Sequence, residues 1–502
     1  MNTPNTVFVS TAIPYVNAPP HLGFALEVVL ADVVARHARA RGRSVHFVTG
    51  TDDNSLSNAR AAEARGISTR ELVDENTACF RALDRTLDAS FDDFLRTSVS
   101  PTHRDAVHAF WDACAKRGDL ERRPYRGSYC VGCEQFLAPS DLVHGACPEH
   151  LTVPEIVEEQ NWFFRLSRFE RPIREALASG RIRIEPPERA HEIERILEAG
   201  LHDVSVSRSR TRARGWGIPV PGDPEQVIWV WFDALASYAA TLGFPHDRAR
   251  HDRYWRHAEH RVHVLGKGIL RFHAILWPAL LLAADLALPT TLWVHGYLTV
   301  QGSKIGKSRG NAIAPELVTD RYGVDALRYF LLRHVGGSRD ADVDLARIDE
   351  VYRTELADGL GNLLARTVAL LRANPNPRAD ALASVKSVAE EEPTAFELAS
   401  RAEALTARVE DALDRLAPDE ALRAIWEVVI AANKHLGNTA PWTLAKDAAN
   451  APRVHAILER TRVALDAIAR ALVPLLPSTA RRITEALADP SRPAPILFPK
   501  PA

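Results

Sequence analysis

The sequence predicts an α/β protein: a doubly wound parallel sheet, split by a cysteine-bearing insertion and followed by an all-helical domain. Three observations carry that expectation. A strand, a helix and a second strand follow one another over the first fifty residues. Three of the five cysteines crowd into one short segment, and beyond about residue 345 the strand signals vanish.

Residues 7–12, VFVSTA, read as a short apolar strand, and IPYVNAPPHLGF after it as a Pro- and Asn-rich turn. From Ala25, apolar side chains recur at Leu26, Val29, Leu30, Val33 and Val34, the spacing of a helix that ends near Arg41-Gly42. A second strand, VHFVTG, occupies 45–50. Strand, helix and parallel strand within about forty residues form the βαβ unit of a Rossmann-type nucleotide-binding sheet. Its ligands lie at the carboxyl ends of the strands, so 12–24 and 50–55 are expected to face one crevice. Residues 1–115 are thus the first half of the sheet domain, and 116–225, with Cys, Gly and Pro clusters and then charged helical stretches, an insertion. The alternation resumes at VIWVWFDALASY (227–238), HVLGKGILRFH (263–273) and TLWVHGYLTV (291–300), whose β-branched and aromatic residues suit buried strands and define a second half over 226–345. In the all-helical remainder, 346–502, amphipathic helices are predicted at 350–373, 394–416, 418–436 and 452–472, with NPNPRADALAS as the linker between the first two. There is no internal repeat.

Composition excludes several classes. A chain of 502 residues with 46% apolar and 25% charged residues is neither disordered, collagenous nor a coiled coil. The net charge of −2 gives no bulk argument for a nucleic-acid partner, so any such surface is local. The longest apolar run, 274–289, contains Asp285 and falls short of the ~20 residues of a bilayer span, and MNTPNTVFVSTAIPY runs straight into a strand with no leader. A cytoplasmic protein without membrane contact is expected.

Three constellations carry chemistry. Cys130-x-x-Cys133 and Cys147-x-x-His150 are two pairs of soft ligands with the spacing of a closed, four-ligand structural zinc site. His144 breaks that spacing, and Cys79 and Cys114, alone on helical stretches, are expected in the core. Pro20-His21-Leu22-Gly23-Phe24 sits where a strand gives way to a helix, whose first amides favour phosphate while His21 donates and Gly23 admits a flat base. Lys304 and Lys307, two of only eight lysines, lie on the polar loop SKIGKSRGN, where two ammonium groups suit a triphosphate and departing pyrophosphate.

In their order these segments resemble the class I aminoacyl-tRNA synthetases, and among them the methionyl-tRNA synthetases. The likeness runs through AIPYVNAPPHLG, CVGCEQF…ACPEH, WGIPVPGDP, VWFDALASY, GKGILRFH, KIGKSRGN, GLGNLLAR and NTAPW. It implies a pocket for the methionine side chain at Ala12, Ile13, Tyr15, Trp231, Ala234, Leu235, Tyr238, Ile269 and His273, with Asp52 accepting from the substrate ammonium. It implies ATP contacts at His21, Gly23, Phe24, Gly266, Lys267, Lys304 and Lys307, with His21, Lys304, Lys307 and magnesium stabilising charge. It places anticodon contacts at Asn362, Arg366 and Trp442 of the helical domain. The reaction implied is ligation of methionine to tRNA(Met) through methionyl-adenylate, with structural zinc in the knuckle; from the chain length a monomer is expected. Departures gather on the nucleotide side: Phe24 replaces His, Asp52-Asp53-Asn54-Ser55 replaces Asp-Glu-His-Gly, Gly268 replaces Asp, and Ile305-Gly306 replaces Met-Ser. They motivate two rival expectations, a paralogue that activates methionine or a related amino acid outside translation, and a non-catalytic relative that binds tRNA or methionine.

Overall fold

The computed structural model describes residues 5–306, 310–336, 339–375 and 393–500. The chain divides into two compact units, Met1–Tyr297 with Lys304–Ala314, and Leu298–Ser303 with Pro315–Ala502.

The first unit is built on a parallel sheet. Its strands are β1 (Thr6–Thr11), β2 (Ser44–Thr51), β3 (Asp93–Arg96), β7 (Arg183–Glu185), β8 (His260–Gly266) and β9 (Thr291–His295), in the order β3-β2-β1-β8-β9-β7. Val7 lies opposite Val45 of β2 on one side and His260 of β8 on the other. Every residue of β1 is buried, as a central strand covered on both faces requires. Helix α1 (Leu22–Ala40) makes the first crossover and turns Phe24, Val28 and Ala31 inward at spacings of four and three. Helices α2 (Leu56–Arg65), α3 (Thr69–Thr86) and α4 (Pro101–Lys116) surround β2 and β3 in sequence, each opened by a serine side chain accepting from a backbone amide. Cys114 is buried on α4, but Cys79 is exposed. It falls off the buried stripe of α3, which runs through Leu72, Asn76, Phe80 and Leu83, so the expectation of core packing fails there.

The cysteine-bearing segment forms an antiparallel sheet of β4 (Leu120–Cys130), β5 (Gln135–Leu137), β6 (Glu155–Phe164) and Val204–Ser205, ordered β5-β4-β6 and then the short strand. Edge strand β7, also within 116–225, leaves that segment and pairs with β9 in the main sheet, Arg183 opposite Thr291.

Two predicted strands are largely helical. Residues 230–238 belong to α5 (Val230–Ala240), in which ten of eleven residues are buried. Burial all round erased the 3.6-residue signal, and its four alanines favour the helix that β-branched composition had obscured. The stretch 263–273 is strand only to Gly266; it then coils through a wide turn at Phe272–Leu276 into α6 (Trp277–Ala283).

The second unit is mainly helical, with a short strand pair at Leu298–Val300 and Ala341–Asp342. A continuous helical run from Leu345 passes through wide turns at Tyr352–Gly361 into α7 (Asn362–Ala373). It is followed by α8 (Pro393–Asp414), α9 (Pro418–Thr439), α10 (Ala451–Leu472) and α11 (Pro477–Ala488). The last was not predicted. Arg328, fully buried, donates to Leu475 O at 2.8 Å, and Asp325 accepts from Thr479 N, so the turn into α11 is fixed by two charged groups. Most of the predicted linker lies outside the described residues.

Candidate active site and metal knuckle

The open end of the sheet is organised by the start of α1. His21 is its N-cap, and Nδ1 accepts from Gly23 N at 3.0 Å. That places the ring proton on Nε2, the donor form that a phosphate oxygen needs. A Cβ at Gly23 would stand 2.8 Å from His21 Cε1, so the close approach requires glycine. Leu22 N donates to Ile313 O at 3.1 Å and brings the segment after Lys304 to the helix start. Lys307 lies outside the described residues. Glu27, one turn on and buried, accepts from Ala12 N at 2.8 Å and pairs with His295 Nε2 at 3.0 Å, joining the exits of β1 and β9. Phe24, on the inward stripe of α1, is buried with its ring edge-on against Phe80 of α3, centroids 4.8 Å apart.

Gly266 and Lys267 end β8. Lys267 Nζ lies 4.5 Å from the centre of the Tyr297 ring; Lys304 Nζ lies 3.6 Å from the same centre and 2.8 Å from Glu149 Oε2. Asn311 bridges the loop, accepting from Gly306 N and donating to Lys304 O.

The other side of the crevice is acidic and aromatic. Asp52, 1% exposed, follows β2; its amide donates to Pro14 O at 2.9 Å, bringing it beside Tyr15. Burial, with the nearby Asp233 carboxylate, pushes the Asp52 carboxyl well above the ordinary range, and the Asn54 amide opposes this. A cation arriving there restores the carboxylate. Asn54 Nδ2 donates to Asp233 at 2.8 Å and His103 bonds the other oxygen, so the departure at 54 is built into a buried network. The Tyr15 and Trp231 rings are 6.3 Å apart, and Trp231 stacks on Phe272 at 3.8 Å. Tyr238 donates to His273 Nε2 at 2.8 Å, and His273 Nδ1 donates to Ile269 O at 3.1 Å. Burial takes His273 down to about 4, so this floor is uncharged at neutral pH. Ala12, Ala234, Leu235 and Tyr238 are buried, and Tyr15, Trp231 and Ile269 pack half-buried on the same cluster as Leu235 and Tyr238. Ile13 is half-buried. Reasoning from sequence missed Phe272, Glu27 and His295; only the acidic side chain inside an apolar helical stripe hinted at Glu27.

Cys130, Cys133, Cys147 and His150 present ligand atoms within 4.8 Å of one another, and His144 is not among them. The Cys133–Cys147 sulfurs are 3.5 Å apart and His150 Nδ1 is 3.3 Å from Cys133 Sγ. Edges of a tetrahedron with ~2.3 Å metal–sulfur bonds are about 3.7 Å, so the cage fits a metal ion. Gly132 makes room: a Cβ there would lie 2.4 Å from the His150 ring. The knuckle reaches the aromatic side through backbone. Trp231 Nε1 donates to Cys133 O at 3.1 Å, and the carbonyl of Glu134 accepts from Trp229 and from Arg208. The buried Glu134 carboxylate accepts from Tyr129 and from Ser57 N.

In the helical unit, Asn362 and Arg366 lie four apart on one face of α7. Arg366 is exposed, and Asn362 donates to Asp358 at 3.2 Å. Asn433 of α9 donates to Gly359 O at 3.1 Å just before α7, and Trp442 follows the end of α9 with its ring 44% exposed.

The family described as "tRNA synthetases class I (M)" matches residues 7–152 and 150–368, and "Anticodon binding domain of methionyl tRNA ligase" matches 383–495. The methionine–tRNA ligase of Fusobacterium nucleatum is 35% identical over 96% of this chain and 74% of its own length, and that of Brucella suis 36% over 96% and 92%. The structure of Mycobacterium tuberculosis methionyl-tRNA synthetase in complex with methionyl-adenylate superposes with a TM-score of 0.86 at 34% identity, over 98% of this chain and 95% of that one. The chain belongs to the methionyl-tRNA synthetase family.

Proposed function

We propose that the chain ligates L-methionine to tRNA(Met) in two steps. The methionine carboxylate attacks the α-phosphorus of ATP, releasing pyrophosphate and leaving methionyl-adenylate; a ribose hydroxyl of the terminal tRNA adenosine then attacks the activated carbonyl, releasing AMP. No enzyme nucleophile takes part, so the chain's residues bind, orient and neutralise charge. Asp52 holds the ammonium, and Ala12, Ile13, Tyr15, Trp231, Ala234, Leu235, Tyr238, Ile269 and His273 receive the side chain. The uncharged Tyr238–His273 floor suits a thioether and penalises a charged competitor. His21 donates to phosphate from Nε2 beside Gly23, while Gly266, Lys267, Lys304 and Lys307 complete the nucleotide side with magnesium that enters with ATP. Cys130, Cys133, Cys147 and His150 hold zinc, which braces the loop carrying the Cys133 and Glu134 carbonyls. Asn362, Arg366 and Trp442 contact the anticodon.

The observation that carries the reading is the buried Asp52 carboxyl beside Tyr15 at the strand ends, whose raised titration an ammonium ligand would bring back down. Methionine-dependent exchange of labelled pyrophosphate into ATP tests the first step, and charging of tRNA(Met) the second; pure protein that exchanges no label sinks the proposal. Among the described residues no helix is long and apolar enough to cross a membrane. A cytoplasmic monomer goes with this reading, and sedimentation of the purified protein checks the second part of that statement.

A further inference from the structure

Glu149 stands between two ligands of the knuckle, Cys147 and His150, yet its carboxylate points at the nucleotide side of the crevice. Its Oε2 receives Lys304 Nζ at 2.8 Å and the Tyr297 hydroxyl at 3.1 Å. Tyr297 also offers its ring face to Lys304, at 3.6 Å. These contacts converge beside Gly268. A Cβ on Gly268 would lie 2.1 Å from Tyr297 Oη and 3.8 Å from Glu149 Oε2. The tyrosine hydroxyl fills the space a side chain at 268 would take, and the glutamate carboxylate lies within reach of where that side chain would begin.

We infer that Glu149 is a positioning residue for Lys304: a carboxylate carried by the metal knuckle holds the lysine ammonium against the Tyr297 ring. The inference rests on the proposed role of Lys304 toward ATP. A lysine ammonium on a four-carbon stem at the start of a glycine-containing loop samples many rotamers unless something holds it. A carboxylate and an aromatic face together restrict it. The carboxylate also places a negative charge near the ATP phosphates, so its removal has two opposed effects. ATP is repelled less, while Lys304 is left less well placed for the transition state.

The test uses the metal-loaded full chain and Glu149→Gln. Calorimetry is expected to show ATP with magnesium binding about two- to fivefold more tightly. The kcat of methionine-dependent pyrophosphate exchange is expected to fall about five- to twentyfold. Metal per chain, by elemental analysis, stays at the parent value. On a Lys304→Met background Glu149→Gln is expected to lower kcat no further, which a purely structural role in the knuckle would not produce. A parent that exchanges no label defeats the proposed function, whereas calorimetry still reads this inference, and a Glu149→Gln protein that binds ATP no more tightly than the parent overturns it. A full further fall in kcat on the Lys304→Met background, with metal retained, also overturns it. Should Glu149→Gln lose its metal, Tyr297→Leu removes the ring face from Lys304 without touching the knuckle, and an unchanged kcat in that variant is the refuting result.

Discussion

Asp84, fully buried in α3, has neither carboxylate oxygen bonded among the described residues, and burial lifts it to about 7. The unfolded chain releases this proton near pH 4 while the folded one keeps it, so stability declines as pH rises from about 4 to about 7. Asp84→Asn is therefore expected to stabilise the fold at pH 8 by about 4 kcal/mol at most, a gain that shrinks toward zero by pH 4. Urea melts at both pH values check this, and an equal gain at both would contradict it. Asp52 obeys the same physics with a ligand attached. Its raised carboxyl is charged when an ammonium sits beside it, so methionine binding weakens on acidification before an ordinary carboxylate would titrate. Asp52→Asn should raise the methionine KM about 10–100-fold and flatten its pH dependence, measured by pyrophosphate exchange from pH 5 to 8.

At the scale of elements, α1 combines a site with a core. Phe24→His, which a comparison of sequences alone recommends as a repair, would bury an imidazole edge-on to Phe80. It is expected to cost about 2–4 kcal/mol and to leave the exchange rate no higher. A gain in rate at unchanged stability would refute the inward placement. The knuckle bears on the amino-acid side through the Cys133 and Glu134 carbonyls, so chelating its metal should change the emission of Trp229 and Trp231 and raise the methionine KM. Fluorescence during titration with chelator follows the first, and a flat signal would count against the link. What the sequence made legible was local. The knuckle ligands and the His21–Gly23 turn declare themselves within a few residues of spacing. Glu27–His295, Asn54–Asp233 and Glu149–Lys304 join positions 268, 179 and 155 residues apart, which no periodicity encodes. Helix α5 was hidden for another reason, because a helix buried on every face has no polar stripe to count.

At the scale of the molecule, the residues proposed for adenylation and those proposed for the anticodon belong to different compact units. Trp442→Ala is expected to lower tRNA charging about tenfold or more through a lost stacking surface while pyrophosphate exchange stays at the parent rate. A parallel loss of both activities would show that the exposed ring supports the fold. The short strand β7 sets a limit on how this chain is trimmed. Because it comes from within 116–225 and seals the outer side of β9, a shortened protein that drops the whole stretch would uncover a row of unsatisfied amides and carbonyls. Such a protein invites pairing with its own copies and is expected to precipitate even where the cysteines it lost were dispensable.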